Sequence, residues 1–254
     1  MRLVNAVLVI ADVSGYTSFI KHRAVSLIHA EAIVTELMEA VLDRADHPLI
    51  LNKLEGDAVL LYSEVGADAA AAVRSAVGQV AAFFEAFSAC LANVRETRRH
   101  CSCDACANVN GLALKAFVHV GEIAIKPVRQ FEELAGENVI LIHRLLKNHV
   151  PVREYVLLSD PVHQRIGSLL PECAALREDI EGLDPVRVWW LAPGAASLRA
   201  LITQALPPPP SQAPSVTPIL RQGRFQHLPR YQVGKLAESW DHIAMAAGRW
   251  LGRR

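Results

Sequence analysis

Two aspartates stand at positions suited to holding divalent cations. Asp12 ends an apolar, β-branched run at residues 3–12, and a glycine turn follows at Gly15. Asp57 follows Gly56 between two short apolar runs, which is a hairpin signal. Two carboxylates on adjacent strands can share two cations and clamp a triphosphate, while backbone N–H groups of a glycine turn can approach phosphate closely. The spacing therefore predicts a two-ion phosphate site.

A third segment adds a positive charge. Residues 137–148 have helical periodicity and carry Arg144, whose planar guanidinium suits a phosphate oxygen. Taken alone, an aspartate after a strand is an ordinary turn residue, and a helical arginine is ordinarily solvated. The order and spacing of the three segments across more than a hundred residues favour a functional interpretation.

The same segments resemble a known family, the class III adenylate/guanylate cyclases. Asp12-Val13-Ser14-Gly15-Tyr16-Thr17 resembles the family's opening motif, and Lys53-x-x-Gly56-Asp57 is similar to its second motif. Two looser similarities are residues 115–121 and the stretch from Gly136-x-x-Val139 to Arg144. The resemblance covers about residues 1–192 and looks most like a bacterial branch with a Cys-x-Cys-x-x-Cys insert.

The resemblance implies a role for each matching position. Asp12 and Asp57 would bind Mg or Mn, assisted by the carbonyl of Val13, and Gly15, Tyr16 and Thr17 would bind the phosphates through their backbone. Lys53 and Glu133 would recognise the base. Arg144 would stabilise the pentavalent transition state. The implied reaction converts a nucleoside triphosphate to a cyclic nucleotide and pyrophosphate. Because the family builds each site from two chains, a head-to-tail homodimer is also implied.

Several positions depart from the family pattern. The family's catalytic asparagine falls on Ile140, its late lysine has no counterpart in residues 179–185, and Lys115 and Phe117 replace an arginine and a glycine. Losing one preorganised polar contact costs on the order of a hundredfold in rate. The alternative function is therefore a catalytically degenerate nucleotide-binding sensor or regulatory module.

Two histidines lie within the matching segments. His119 is on an apolar strand, and we interpret it as a satisfied core residue. His143 precedes Arg144 on the predicted helix and is a further candidate for the site.

Four of the five cysteines lie close together. Cys101, Cys103 and Cys106, with Cys90 upstream, can supply the four thiolates of a structural zinc site, and His100 is a substitute fourth ligand. Ordinary free cysteines and an iron–sulfur centre are the alternatives. A zinc-dependent scaffold with no nucleotide role is a third class of function, resting on the cysteines alone.

The periodicity predicts the elements that hold these residues. Hairpins clustered between helices favour an α+β fold, and the resemblance implies a ferredoxin-like, mainly antiparallel central sheet covered by helices. Residues 112–126 suggest two strands with a turn at Gly121. The predicted cyclase-like domain spans 1–204 and contains the Cys-rich insert at 90–106.

Composition limits the partners and the location. Lys+Arg and Asp+Glu are both 26, so a broad nucleic-acid surface is not expected. The first apolar run is too short to span a membrane and does not look like a secretory signal, which favours the cytoplasm.

Residues 205–232 are predicted to be a Pro-rich linker. Residues 233–254 are predicted to form an amphipathic helix that contacts a membrane surface, a partner protein or its own domain.

Overall fold

A computed structural model of the chain describes residues 1–20 and 24–205. The predicted linker beyond residue 205 and the predicted helix at 233–254 lie outside these residues.

The described residues form strands and helices in mixed order. The strands are β1 (Arg2–Ser14), β2 (Ile50–Glu55), β3 (Ala58–Glu64), β4 (Ala113–Val128), β5 (Phe131–Ala135), β6 (Tyr155–Ser159), β7 (Ala174–Glu178) and β8 (Val186–Leu191). The helices are α1 (Tyr16–Ile20), α2 (Ala24–Leu42), α3 (Ala69–Thr97), α4 (Asp104–Asn108), α5 (Glu137–Arg144), α6 (Asp160–Ile166) and α7 (Ala196–Ala205), with 3-10 turns at Val109–Gly111 and Gly167–Leu169.

All eight strands belong to a single sheet. Its order is β2-β3-β1-β4-β6-β8-β7, with β5 paired to β4. The pairing of β4 with β6 is parallel, whereas the other pairings are antiparallel. The predicted α+β fold, ferredoxin-like and mainly antiparallel, is confirmed.

The central strand β1 shows how the sheet divides the molecule. Successive side chains of a strand point to opposite faces. Val7, Val9 and Ala11 belong to the larger core, which also contains buried residues of α2 and α3, and we call this side the covered face. Leu8 and Ile10 belong to a smaller core shared with α5, and we call this side the open face. By the same alternation, Asp12 lies on the open face.

The long helix α3 is the main element of the covered face. Asp68 caps its N-terminus, because its carboxylate accepts a hydrogen bond from the Ala71 N–H at 2.8 Å. Phe83 and Phe87 are among its fully buried side chains. Among the described helices it is the one long and apolar enough to cross a membrane, but 61% of its apolar window is buried within the protein. This burial is that of a core helix.

The predicted turn at Gly121 is wrong, because β4 runs unbroken from Ala113 to Val128. Gly121 pairs with Ala6 of β1, and a Cβ added to it would lie 2.5 Å from the Asn138 side chain of α5. This glycine therefore leaves room for an asparagine to reach the sheet. Strand β7 and helix α7 are further elements that the sequence pattern did not predict.

Asn138 and His119 form a buried polar connection between α5 and the sheet. His119 is 2% exposed, and its ring nitrogens lie 2.8 Å from the Ser159 hydroxyl and 2.7 Å from Asn138 Oδ1. The Asn138 amide also donates to the Glu122 carbonyl at 2.7 Å. The interpretation of His119 as a satisfied core residue is confirmed.

Replacing Gly121 with alanine tests this connection. The new methyl group would displace Asn138 and leave His119 without one partner, so we expect the free energy of unfolding to fall by about 1–3 kcal/mol. In the Asn138→Ala background the same substitution should cost much less, since the side chain it displaces is gone. Gly66→Ala is the matched control, because a Cβ there meets nothing within 4 Å. Additive losses from the Gly121 and Asn138 substitutions in urea unfolding would contradict the account.

The burial of His119 also predicts a pH dependence. Desolvation lowers the pKa of His119 below its ordinary value of 6.5, although the Asn138 hydrogen bond opposes this shift. The unfolded chain then binds more protons than the folded chain below about pH 6.5, so this contribution to stability is present at neutral pH and is lost on acidification. The stability difference between wild type and His119→Gln should therefore shrink as the pH falls from about 7 to 5. A constant difference in urea unfolding would exclude a neutral buried imidazole.

Candidate nucleotide and metal site

The end of β1 and the β2–β3 hairpin bring the two aspartates together. Asp12 pairs directly with Ala58, the first residue of β3, and the Val13 N–H donates to the Asp57 carbonyl at 3.0 Å. Gly56 has a φ of +69°, a conformation that suits glycine in the hairpin turn. The predicted adjacency of Asp12 and Asp57, the aspartate pair, is therefore present. Val13 directly follows Asp12 in the chain, and the metal-binding role of its carbonyl stays a prediction.

The electrostatics of the aspartate pair favour a cation. Lys115 Nζ lies 2.8 Å from Asp12 Oδ2, and the two side chains are only 19% and 13% exposed. Burial raises the pKa of Asp57, and the nearby negative charge of Asp12 raises it further. Because Asp57 ionises against both effects, a bound cation would relieve an existing cost.

The predicted phosphate-binding turn at residues 15–17 is held from two sides. Gly15 has a φ of +90°, and an added Cβ would lie 2.5 Å from the Gly111 carbonyl oxygen and 2.8 Å from Arg153 Nη2. Arg153 also donates to that carbonyl. On the other side, the Tyr16 hydroxyl donates to Glu31 Oε1 at 2.8 Å. Burial and this hydrogen bond raise the pKa of Tyr16 to about 12.

Arg153 is a residue that the sequence pattern did not predict for this site. It lies in the connection between α5 and β6, and its exposed guanidinium is beside Gly15. Because Arg153 is 138 positions from Gly15 in the chain, no local sequence pattern connects the two residues. Thr17 follows on α1 and is exposed.

A second charged group lies on β2, β5 and α5, and we call it the charged cluster. Lys53 Nζ is 3.3 Å from Glu55 Oε1 and 3.7 Å from Glu133 Oε2. His143 Nε2 is 3.1 Å from Glu55 Oε2. The structure therefore brings together Lys53 and Glu133, the residues predicted to read the base, with His143, the further candidate, and it adds Glu55.

Arg144 is the last residue of α5, and its guanidinium reaches the connection between β7 and β8. Its Nη1 is 3.5 Å from the position of an added Cβ on Gly182, in the connection between β7 and β8. The sheet order separates β7 and β8 from β1 and β3 by two further strands, β4 and β6. Within one chain, Arg144 is therefore placed against a different loop from the one that holds the aspartate pair.

The position of the family asparagine is apolar and half exposed. Ile140 is 50% exposed on α5. The nearest amide along the helix, Asn138, is directed into the sheet toward His119 and the Glu122 carbonyl. Asn138 therefore does not replace the missing asparagine.

A second group of residues whose side chains can bind metals joins α2 to the cysteine segment. His29, Cys101, Cys103 and Cys106 offer ligand atoms that all lie within 4.8 Å of one another, an arrangement able to hold a metal ion. Two predicted ligands, Cys90 and His100, lie outside this group. The Cys90 thiol lies on α3 and points at the Glu36 carbonyl at 3.6 Å, while His100 accepts a hydrogen bond from its neighbour Arg99. The fourth member of the group is instead His29, which comes from α2.

Comparison with known proteins gives relatives of uncharacterised function. Residues 34–155 match the family described as a protein of unknown function, DUF2652. The chain is also 34% identical over 158 residues to the "Uncharacterized protein Rv2561/Rv2562" of Mycobacterium tuberculosis, covering 59% of this chain and 68% of that protein.

Solved structures with a similar fold are cyclases. The adenylyl cyclase CyaB from P. aeruginosa superposes with a TM-score of 0.54 at 14% identity, covering 74% of this chain and 94% of the cyclase chain. A bacterial light-regulated adenylyl cyclase gives a TM-score of 0.52 at 13% identity, covering 81% and 58%. An adenylate cyclase from Trypanosoma brucei gives 0.51 at 16% identity, covering 73% and 88%. At these identities the likeness establishes a cyclase-like fold.

The aspartate pair can be tested through stability. Asp57→Asn removes a half-buried charge that is repelled by Asp12, so the variant without metal should be at least as stable as wild type. Manganese with a non-hydrolysable triphosphate should raise the melting temperature of wild type through linkage, by the equivalent of about 2.7 kcal/mol at a hundredfold excess over Kd. The variant should lose that increase.

Asp184→Asn provides the matched control, because this aspartate is exposed and lies in the β7–β8 connection. It should retain the full stabilisation in the same thermal titration. Equal stabilisation of the Asp57→Asn variant would place the cation elsewhere.

Proposed function

Since the chain belongs to the family of the uncharacterized M. tuberculosis protein Rv2561/Rv2562, whose name states no activity, we propose a function from the site itself: metal-dependent binding of a nucleoside triphosphate and its cyclisation with release of pyrophosphate. The observation that carries this proposal is the aspartate pair at the end of β1, beside the glycine turn. The cyclase-like fold supports it.

The residues of the pair fit a hard cation. Carboxylate oxygens are the ligands that magnesium and manganese prefer. Burial and the charge of Asp12 raise the pKa of Asp57 by more than Lys115 lowers it. A bound magnesium or manganese ion would neutralise negative charge on the triphosphate. The aspartates would hold and orient it.

The chain's own positive groups would complete the phosphate site. Lys115 lies beside Asp12, and Arg153 lies beside Gly15, so both flank the place proposed for the triphosphate. Backbone N–H groups of a glycine turn can approach phosphate oxygens closely, and this is the role proposed for Gly15. These groups bind and orient the triphosphate, and the proposed role of Tyr16 and Thr17 is through their backbone.

The charged cluster would recognise the base. Lys53 supplies N–H donors, while Glu55 and Glu133 supply carboxylate acceptors. A purine or pyrimidine edge presents both donors and acceptors, so these residues can select a base by hydrogen bonding. His143 holds Glu55 in position through its 3.1 Å contact.

The placement of Arg144 supports a homodimer. Because Arg144 lies by Gly182, a head-to-tail arrangement of two copies would bring it to the aspartate pair of the other copy and produce two equal sites. Ile50 and Ile140 lie on elements that bound the open face and are 47% and 50% exposed, which suits burial against a second copy. We place this homodimer in the cytoplasm.

A second candidate function is a nucleotide sensor without turnover, and Ile140 is the observation that favours it. An isoleucine cannot hydrogen-bond a ribose, and the neighbouring polar residues have other partners. Asn138 bonds to His119, and His143 bonds to the Val139 carbonyl and Glu55.

Turnover separates the two functions. With each nucleoside triphosphate and manganese, wild type should form cyclic nucleotide very slowly or not at all, and Ile140→Asn should raise the rate by at least about tenfold because it restores a polar contact. The measurement is cyclic product and pyrophosphate by chromatography. Ile140→Leu is the matched control and should leave the rate unchanged.

The outcomes are distinct. Brisk turnover by wild type would show that another residue supplies the ribose contact. Binding without product in both proteins would favour the sensor, and absence of nucleotide binding in a folded dimer would overturn both functions.

A further inference from the structure

The group formed by His29 and the three cysteines has the dimensions of a zinc site. His29 Nδ1 lies 3.2 Å from Cys103 Sγ, 3.6 Å from Cys101 Sγ and 3.8 Å from Cys106 Sγ. A tetrahedral zinc ion with bonds of about 2.3 Å to sulfur and about 2.0–2.1 Å to nitrogen separates those atoms by about 3.5 Å. The observed distances bracket this value.

The ligand types select zinc over the cations proposed for the aspartate pair. Three thiols and an imidazole are soft and borderline ligands, whereas magnesium and manganese prefer oxygen. Four protein ligands also leave no coordination position for water or substrate, which is the composition of a structural site.

The local structure prepares the cysteines for this role. Cys103 precedes α4 as its N-cap, and its sulfur accepts from the Cys106 N–H at 3.5 Å. This turn directs two thiols toward one point. His29 comes from α2, 72 residues before Cys101, so the tertiary fold rather than the local sequence completes the group.

The two elements that the ligands join are also the two supports of the phosphate-binding turn. Helix α2 carries Glu31, two residues after His29, and Glu31 accepts the hydrogen bond from Tyr16. The cysteine segment continues through α4 and a 3-10 turn to Gly111, whose carbonyl lies against Gly15. A metal ion between His29 and the cysteines would therefore fix the spacing of both supports.

We propose that His29, Cys101, Cys103 and Cys106 bind one structural zinc ion that fastens α2 to the cysteine segment and thereby braces the phosphate-binding turn. The zinc site stands on its own geometry, whereas its effect on nucleotide rests on the proposed function.

The zinc site is tested by metal analysis and cobalt substitution of the full chain. Protein purified anaerobically should contain one zinc per chain. Cobalt-substituted wild type should show thiolate-to-cobalt charge-transfer absorption and the intense visible bands of tetrahedral cobalt. His29→Ala and Cys103→Ser should lose most of the bound metal, while Cys90→Ser, the matched control, should keep it.

Other results would overturn the zinc site. These are a reduced wild-type chain that takes up neither zinc nor cobalt, cobalt spectra without thiolate absorption, iron as the bound metal, or equal metal loss in Cys90→Ser. Since the wild-type spectrum decides the matter, the test holds even if a variant fails to fold.

The bracing effect is tested after zinc is removed by a chelator and the chelator is removed by gel filtration. Manganese and a non-hydrolysable triphosphate are then titrated into zinc-loaded and zinc-free protein, with circular dichroism monitoring the fold. We expect at least about tenfold weaker triphosphate binding without zinc, which is the scale of loss when the groups that support a binding site are removed. Tyr16→Phe should weaken binding while keeping zinc, because it breaks only the link to Glu31.

These outcomes separate the two proposals. If zinc-loaded protein binds no triphosphate, the proposed function fails and the metal analysis still decides the zinc site. If zinc-loaded, zinc-free and Tyr16→Phe proteins bind triphosphate equally, the bracing is overturned. If the zinc-free chain unfolds, the zinc is structural, and Tyr16→Phe decides the bracing.

Discussion

The antiparallel pairing of β1 with β3 and β4 is the constraint on which the candidate site depends. Its register places Asp12 opposite Ala58 on one side and opposite Lys115 on the other. A shift of one residue would turn Asp12 into the covered face, where an unpaired carboxylate is costly. The apolar alternation of β1 therefore fixes the position of the carboxylate as well as the core.

The two faces of the sheet carry different helices and different proposed sites. On the covered face, α2 and α3 bury a large core, and α2 also carries His29 and Glu31. On the open face, α5 covers a smaller core and leaves Ile140 half exposed. The aspartate pair and the proposed dimer contact lie on the open face, while the proposed zinc ion would support the proposed phosphate-binding turn from the covered face.

The residues that were predictable from the sequence are those whose positions follow from local rules. A strand ending at Asp12 and a glycine hairpin at Gly56 are set by nearby residues, so the adjacency of Asp12 and Asp57 could be inferred. Lys53 and Glu133 came from the family resemblance, and the structure brings them into contact.

The residues that were missed are set by tertiary packing. His29 and Arg153 reach their groups from distant parts of the chain, and neither has a local pattern that marks it. Cys90 has suitable spacing on its helix, but its thiol is directed at the Glu36 carbonyl. Gly121 resembles a turn residue, yet it is required by the close approach of Asn138 within a continuous strand.

The most direct measurement of the central claim is a crystal structure of the protein with manganese and a non-hydrolysable nucleoside triphosphate, with diffraction data collected at the manganese absorption edge. The account predicts anomalous density between the carboxylates of Asp12 and Asp57, with the triphosphate lying along the turn at Gly15. Bound nucleotide with manganese density away from both carboxylates would contradict it.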